Sequence, residues 1–285
     1  MSRTSTGSSS RRSPERQQVV DALLAAGVRP SRLLGQSFLV DPYVADAEAA
    51  LTDAPPGTPV LEIGSGLGAL TEALLRRGTA PLTVLERDPR LAAYLRSKLG
   101  DRITVLRGDA VTAPLPPVPV VVGNLPFSVA TPILVRLLKA RVPRIVAMVQ
   151  AEVADRLLAV PGSGAYGRLT LLARLHAEIE GYLPVPPTAF EPVPSVGGRV
   201  VVLVHRVGAL PVPDEAAFEE LTRRLFGARR KQLKNLLPSA VPEPRDPAEL
   251  ARRAGWPADW ATRRPEELPW EAYFGLARAL GEGRS

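Results

Sequence analysis

The sequence predicts an α/β protein in which a mostly parallel sheet carries helices on both faces and a small all-helical domain follows at the C-terminus. Three observations carry this. From Pro59 to the helix that follows Gln150, short apolar runs alternate with segments of helical spacing, the rhythm of strand–helix–strand units. A glycine-rich turn, Gly64-Ser65-Gly66-Leu67-Gly68, joins the first of these strands to its helix. After Pro211 the strand signal stops and only helical patterns remain.

Taken in order, residues 1–14 are Ser, Arg, Thr, Gly and Pro after Met1. They form neither a secretory signal nor an amphipathic face, and read as a disordered basic tail. Residues 15–30 have helical spacing at Val19, Val20, Leu23 and Leu24, and after RLLGQSFLVD a second helix is expected over Pro42–Leu51. Strands are expected at 60–63 (VLEI), 82–86 (LTVLE), 103–109 (ITVLRGD), 118–122 and 145–150 (IVAMVQ). Helices are expected at Leu67–Arg77, Pro89–Leu99, Thr131–Lys139 and from Ala151. Pro184–Pro194 is proline-rich and reads as an ordered loop, and RVVVLVHRV (199–207) is a last, β-branched strand. Beyond it Phe218, Leu221 and Leu225 share one helix face, and Leu233, Leu236 and Leu237 another. The expected domains are therefore a tail at 1–14, an α/β domain at 15–209 and a helical domain at 210–285.

Composition narrows the function. The chain has 285 residues, 45% of them hydrophobic, and a net charge of +7, which favours an anionic partner such as nucleic acid. It has no cysteine, which excludes disulfides, Cys-ligated zinc, iron–sulfur chemistry and methyl transfer through a cysteine nucleophile. The only histidines are His176 and His205, far apart in sequence, so no metal site is expected. No apolar run is long enough to span a bilayer. The expected compartment is the cytoplasm.

Gly64, Gly66 and Gly68 allow a sharp turn and close approach of backbone to a ligand. Such a turn suits NAD, a nucleotide or S-adenosylmethionine, with Gly64 and Gly66 as cofactor contacts. Glu86 ends the second strand, where a carboxylate accepts ribose hydroxyls, and Asp109 ends the third, where it accepts from an adenine amine. An N-cap is the plainer role for an acid here, and Asp88 suits it better than Glu86. Gly64, Glu86, Asp109 and Asn124 fall at the carboxyl ends of four successive strands, where open α/β sheets bind ligands.

Asn124-Leu125-Pro126-Phe127 suits chemistry on an exocyclic adenine amine. That nitrogen is a poor nucleophile because its lone pair is delocalised into the ring. The Asn124 side-chain oxygen and the Leu125 carbonyl can accept its hydrogens, Pro126 holds Leu125 extended, and Phe127 offers a stacking face worth about 1–3 kcal/mol. The alternative is a strand-ending turn with a core phenylalanine. Farther on, Arg223, Arg224, Arg229, Arg230, Lys231 and Lys234 follow one another with no acid among them. On a helix they would form a phosphate-binding patch or, more plainly, a solvated basic face.

These blocks together resemble the ribosomal RNA adenine N6,N6-dimethyltransferases, and within them the bacterial small-subunit, 16S-type branch. LGQSFLVD, LEIGSGLGALT, NLPFSVATPIL, MVQAEVADRL, YGRLTLL, AFEPVPSV, ARRKQLKNLL and RRPEELPWEAYFGLARAL occur in the family's order from about Leu33 onward. The resemblance implies a Rossmann-like, S-adenosylmethionine-dependent methyltransferase fold with a mostly parallel seven-stranded sheet and a helical RNA-binding domain. It implies cofactor contacts at Ser37, Leu39, Gly64, Glu86, Asp109 and Asn124, and a second aromatic, Phe190, near the target base. The implied reaction is dimethylation of two adjacent adenines near the 3′ end of small-subunit rRNA, by a monomer acting on rRNA or a partly assembled subunit. Ser37 replaces the family's usual Asn or His, Phe127 replaces Tyr, and Ser195, Gly197 and Gly198 replace a basic residue and an Asp-Ser pair. The competing readings are a 23S rRNA methyltransferase conferring macrolide resistance, a non-catalytic nucleic-acid-binding assembly or transcription factor, and a DNA adenine methyltransferase.

Overall fold

The computed structural model describes residues 13–30, 36–241 and 246–281. All but Ser13 and Pro14 of the expected tail lie outside them, as do Ser31 and the first four residues, 32–35, of the RLLGQSFLVD segment. In chain order the elements begin with α1 (Pro14–Ala25), β1 (Phe38–Leu39), α2 (Pro42–Leu51), β2 (Val60–Ile63), α3 (Ala69–Arg76), β3 (Leu82–Glu86), α4 (Pro89–Leu99), β4 (Thr104–Arg107) and β5 (Val120–Asn124). There follow α5 (Ala130–Lys139), β6 (Arg144–Gln150), α6 (Ala151–Leu158), α7 (Arg168–His176), β7 (Ala177–Val185), β8 (Phe190–Glu191) and β9 (Gly198–His205). The chain closes with α8 (Glu215–Phe226), α9 (Leu233–Ala240), α10 (Pro247–Arg253) and α11 (Trp270–Gly281). This is the expected α/β class: a mostly parallel sheet of seven strands, with helices closing the chain. No helix among the described residues is long and apolar enough to cross a membrane.

Contacts gather the chain into two compact units, residues 1–128 with 185–198, and 129–184 with 199–285. In the first, the strand order is β4-β3-β2-β5, with every pairing parallel. All four residues of β2 are buried, as continuous apolar runs in a doubly covered parallel sheet require. The registers Ile63↔Leu85 and Glu86↔Arg107 bring the carboxyl ends of β2, β3 and β4 level. Helices α2 and α4 start where an aspartate cap meets a proline: Asp41 accepts from the Tyr43 N–H and Asp88 from the Arg90 N–H, each at 2.9 Å. Asp88 is thus the N-cap, as expected. In α1, Leu23 is buried while Leu24 is exposed.

In the second unit the strand order is β6-β9-β7. Strand β7 is absent from the sequence reading although Ala177, Ile179, Leu183 and Val185 alternate with Glu178, Glu180 and Pro184, because Gly181 interrupts the apolar set and Pro184 reads as a strand breaker. An edge position tolerates such residues, proline included. One hydrophobic core joins Tyr166, Leu171 and Leu175 to Phe218, Leu225, Leu233, Leu237, Tyr273 and Leu276.

Two readings need correction. Arg229, Arg230 and Lys231 do not extend a helix: α8 stops at Phe226 and α9 starts at Leu233, so they occupy the turn between them. The loop at Pro184–Pro194 contains β8, which pairs antiparallel with β1 in the register Leu39↔Phe190. Two residues are too short for a period-two pattern to show.

Candidate active site

The candidate site lies in the first unit, at the carboxyl ends of its strands. A cleft there is lined by Ser37, Leu39, Gly64, Gly66, Glu86, Asn124 and Pro126, with Gln36, Ser65 and Leu67 beside them. Backbone conformation explains the glycines. Gly64 has φ +74°, and a Cβ on it would sit 3.2 Å from the Asn124 carbonyl oxygen. Gly66 has φ +56°, and its Cβ would sit 3.2 Å from the Phe38 ring. A side chain at either position would fill the cradle and strain the turn.

Glu86 is fixed at the end of β3. Its Oε2 accepts from the Gly66 N–H at 3.1 Å and its Oε1 from the Asp88 N–H at 2.9 Å. Burial raises its carboxyl above the ordinary range, against the pull of these backbone bonds. Each oxygen keeps lone-pair capacity for a further donor. Asp109 does not line the cleft; its Oδ1 accepts from the Val111 N–H at 2.9 Å and its Oδ2 lies 3.5 Å from Arg87.

The Asn124-Leu125-Pro126-Phe127 turn leaves β5 at the cleft. The Leu125 side chain is buried, Phe127 is half-buried and Phe190 is buried. The two aromatic rings meet edge to face, with centroids 6.4 Å apart. Arg16 of α1 secures the segment that carries Phe190, donating to the Thr188 carbonyl at 2.5 Å, the Phe190 carbonyl at 3.1 Å and the Glu191 carboxylate at 2.5 Å.

Beneath the site lie two acids that the sequence reading missed. Glu48 of α2 and Glu62 of β2 are buried. Burial, then the neighbouring Glu62 carboxyl, raises Glu48 well above the usual range; burial raises Glu62 to about 8. One end of the Asn124 side-chain amide meets the Glu48 carboxyl, and with the nitrogen at that end it donates to both carboxyl oxygens. By strict hydrogen-bond geometry, Ser65 Oγ and Glu62 Oε2 have no partner among the described residues, and Thr71 Oγ1 lies near Glu62 without meeting it ideally. Glutamates at apolar-looking positions in VLEI and in α2 were the available signal, hidden by their apolar neighbours.

The basic cluster, in the second unit, divides. Arg223 and Arg224 pair with Glu220 at 2.6 Å. Arg229 donates to the carbonyls of Gly164 (3.1 Å) and Tyr166 (2.8 Å). Arg230, Lys231 and Lys234 are exposed and make no ion pair among the described residues. His176 and His205, though distant in sequence, come within 6.2 Å, and His176 Nε2 lies 2.9 Å from Glu215.

Comparison with known proteins places these features. Residues 29–252 match the family described as ribosomal RNA adenine dimethylase. The ribosomal RNA small subunit methyltransferase A of Anaeromyxobacter dehalogenans strain 2CP-C is 39% identical over 271 residues, covering 89% of this chain and 94% of its own length. The crystal structure of the 23S rRNA methyltransferase ErmE is 30% identical, with a TM-score of 0.63 over 84% of this chain and 99% of that one. A dimethyladenosine transferase from Plasmodium falciparum, 23% identical, shares the fold, with a TM-score of 0.70 over 84% of this chain and 95% of its own.

Proposed function

The chain belongs to the ribosomal RNA adenine dimethylase family, and from that membership we propose that it dimethylates N6 of two adjacent adenines near the 3′ end of small-subunit rRNA. One observation carries the proposal at the level of residues: the glycine cradle and the Asn124-Pro126 turn border a single cleft. The residues present fit S-adenosylmethionine. Gly64 and Gly66 leave backbone space that a Cβ would fill, Glu86 offers a buried acceptor for a ribose diol, and the orphaned Ser65 Oγ is a free polar group on the lining. Ser37 and Leu39, on the same lining, complete the proposed contacts, and Asp109 stays outside them. When bound, this cofactor supplies an electrophilic methyl group on a sulfonium.

The protein's own part is positioning. Asn124 Oδ1 and the Leu125 carbonyl accept hydrogens of the target amine, and Pro126 keeps that carbonyl aimed. Phe127, with Phe190 against its edge, stacks the base. Each methyl that N6 gained from the sulfonium would leave a neutral thioether behind and release one N6 hydrogen as a proton to solvent, and fixing the nitrogen in line with the methyl would carry most of the rate. Residues 15–209 would hold this chemistry and 210–285 the grip on RNA, with Arg230, Lys231 and Lys234 as free phosphate ligands beside the paired Arg223, Arg224 and Arg229. The small-subunit reading is favoured by relatives of that name at 39% identity, against 30% for the 23S enzyme. The protein would act as a monomer in the cytoplasm.

The test is nucleoside mass spectrometry after incubating the purified protein and S-adenosylmethionine with unmethylated small subunits, large subunits and naked DNA. N6,N6-dimethyladenosine should appear in small-subunit rRNA alone. Methylation confined to large-subunit rRNA or to DNA would overturn the assignment.

A further inference from the structure

Glu48 has no obvious reason to be an acid. It lies on the face of α2 that also buries Val44, Ala45 and Ala49, and it is wholly inaccessible to solvent. An ionisable group in such a place is costly unless something compensates it. It has no ion pair among the described residues. Its two oxygens instead lie 3.2 and 2.7 Å from one end of the Asn124 side-chain amide, which donates to both when that end is the nitrogen.

We infer that Glu48 is a positioning residue for methyl transfer: it holds the Asn124 amide with its nitrogen inward, leaving Oδ1 as the acceptor for the target amine. The inference rests on the role proposed above for Asn124. An asparagine amide is nearly symmetric in shape but opposite in polarity at its two ends. Presented nitrogen-first, it would set donor against donor at the adenine N6 hydrogens. Reversal is opposed by Glu48, because Oδ1 would then face carboxylate oxygens. The neutral acid can accept from Nδ2 through its carbonyl oxygen or donate its O–H to Oδ1, whereas the ionised form can only accept, so it is the ionised form that selects the nitrogen-inward orientation. Glu62, on β2, is the titratable neighbour that faces Glu48, and Glu86 in turn faces Glu62.

Single-turnover methyl transfer to small subunits, at saturating S-adenosylmethionine, tests this with Glu48→Leu, Glu48→Gln, Asn124→Ala and the double variant Glu48→Leu/Asn124→Ala. Glu48→Leu removes the cost of burying an acid but leaves Nδ2 unpaired, so thermal melts are run beside the kinetics to separate lost stability from lost positioning. Glu48→Gln, nearly equal in volume, carries the same comparison if leucine disturbs packing. Leaving Nδ2 without its acceptor should slow Glu48→Leu about ten-fold or more. Glu48→Gln, which keeps one acceptor, should recover part of the rate. In the Asn124→Ala background Glu48→Leu should add nothing. Cofactor affinity by calorimetry should not move. A readout independent of activity is the Asn124 side-chain amide signal in a ¹H–¹⁵N spectrum, identified by its loss in Asn124→Ala. It should be protected from exchange in the wild type and lose protection in Glu48→Leu. Wild-type rates in Glu48→Leu, losses that multiply in the double variant, or unchanged protection would each overturn the inference. A wild type that methylates nothing would remove the proposed function, and the amide signal would still decide whether Glu48 holds Asn124.

Discussion

Urea unfolding of the wild type and of Glu62→Gln, repeated from about pH 5 to about pH 9, measures what the buried acid of β2 does to stability. Glu62 is 1% exposed; burial raises its carboxyl from 4.5 to about 8, with Thr71 opposing and Glu86 adding to the shift. The native protein therefore keeps a proton that the unfolded chain has already released. The resulting stability is complete below about pH 4.5 and drains away as the pH climbs to about 8. At 1.36 kcal/mol per unit, a shift of about 3.5 units sets a ceiling of roughly 5 kcal/mol. Glu62→Gln has no such proton, so its stability should fall less with pH, by up to that amount. Glu48, also raised, should leave some slope in the variant. Groups such as His205 titrate alike in both proteins and cancel in the difference. Parallel stability curves would refute the argument and show that Glu62 reaches water in the native state.

The catalytic turn and the RNA grip can be probed by substitution. Asn124→Ala should slow methyl transfer roughly 100- to 1000-fold, the cost of one positioned polar group; near wild-type turnover would remove Asn124 from the chemistry. Gly64→Ala should lose about 1–2 kcal/mol of stability from its left-handed backbone. It should also lose several-fold in rate by pushing the Asn124 carbonyl a few tenths of an ångström, and unchanged kinetics would show that the contact relaxes freely. Phe127→Tyr should stay near wild type while Phe127→Ala falls well below it; equal losses would mark the ring as packing against Phe190 only. Changing Arg230, Lys231 and Lys234 together to Gln should flatten the slope of log RNA affinity against log salt by about two units, whereas Arg229→Gln should chiefly lower the melting temperature. An unchanged slope in the triple variant would place the RNA elsewhere.

The parallel strands were legible because burial on both faces writes them as unbroken apolar runs, VLEI and LTVLE being clear cases. Helices α2 and α4 were legible to the residue because an aspartate cap and a proline mark each start. The glycine turn and the Asn124-Leu125-Pro126-Phe127 turn could be read because their chemistry is contiguous in sequence. What depends on tertiary context could not. Strand β7 looks like a polar loop until its edge position is known. Glu48 meets Asn124 only after α2 has packed beside the sheet, and its spacing from Val44 and Ala45 in PYVADAEAAL marks a buried face without naming the partner. The basic run was overread because charge density alone does not show that Glu220 and the carbonyls of Gly164 and Tyr166 already occupy three of its arginines.

The core that ties Tyr166, Leu171 and Leu175 to the leucines and aromatics of α8, α9 and α11 bears on how such enzymes can be recombined. A chimera that exchanged target preference between small- and large-subunit enzymes by splicing at residue 210 would split that core between two parents. Its α7 side chains would meet foreign partners across the seam, and mismatched volumes in a close-packed interior cost from under one to several kcal/mol per site. A graft that carries residues 159–175 together with everything after 210 keeps the jigsaw intact. The transplantable piece is therefore discontinuous in sequence, and reassorting it takes two crossovers rather than one.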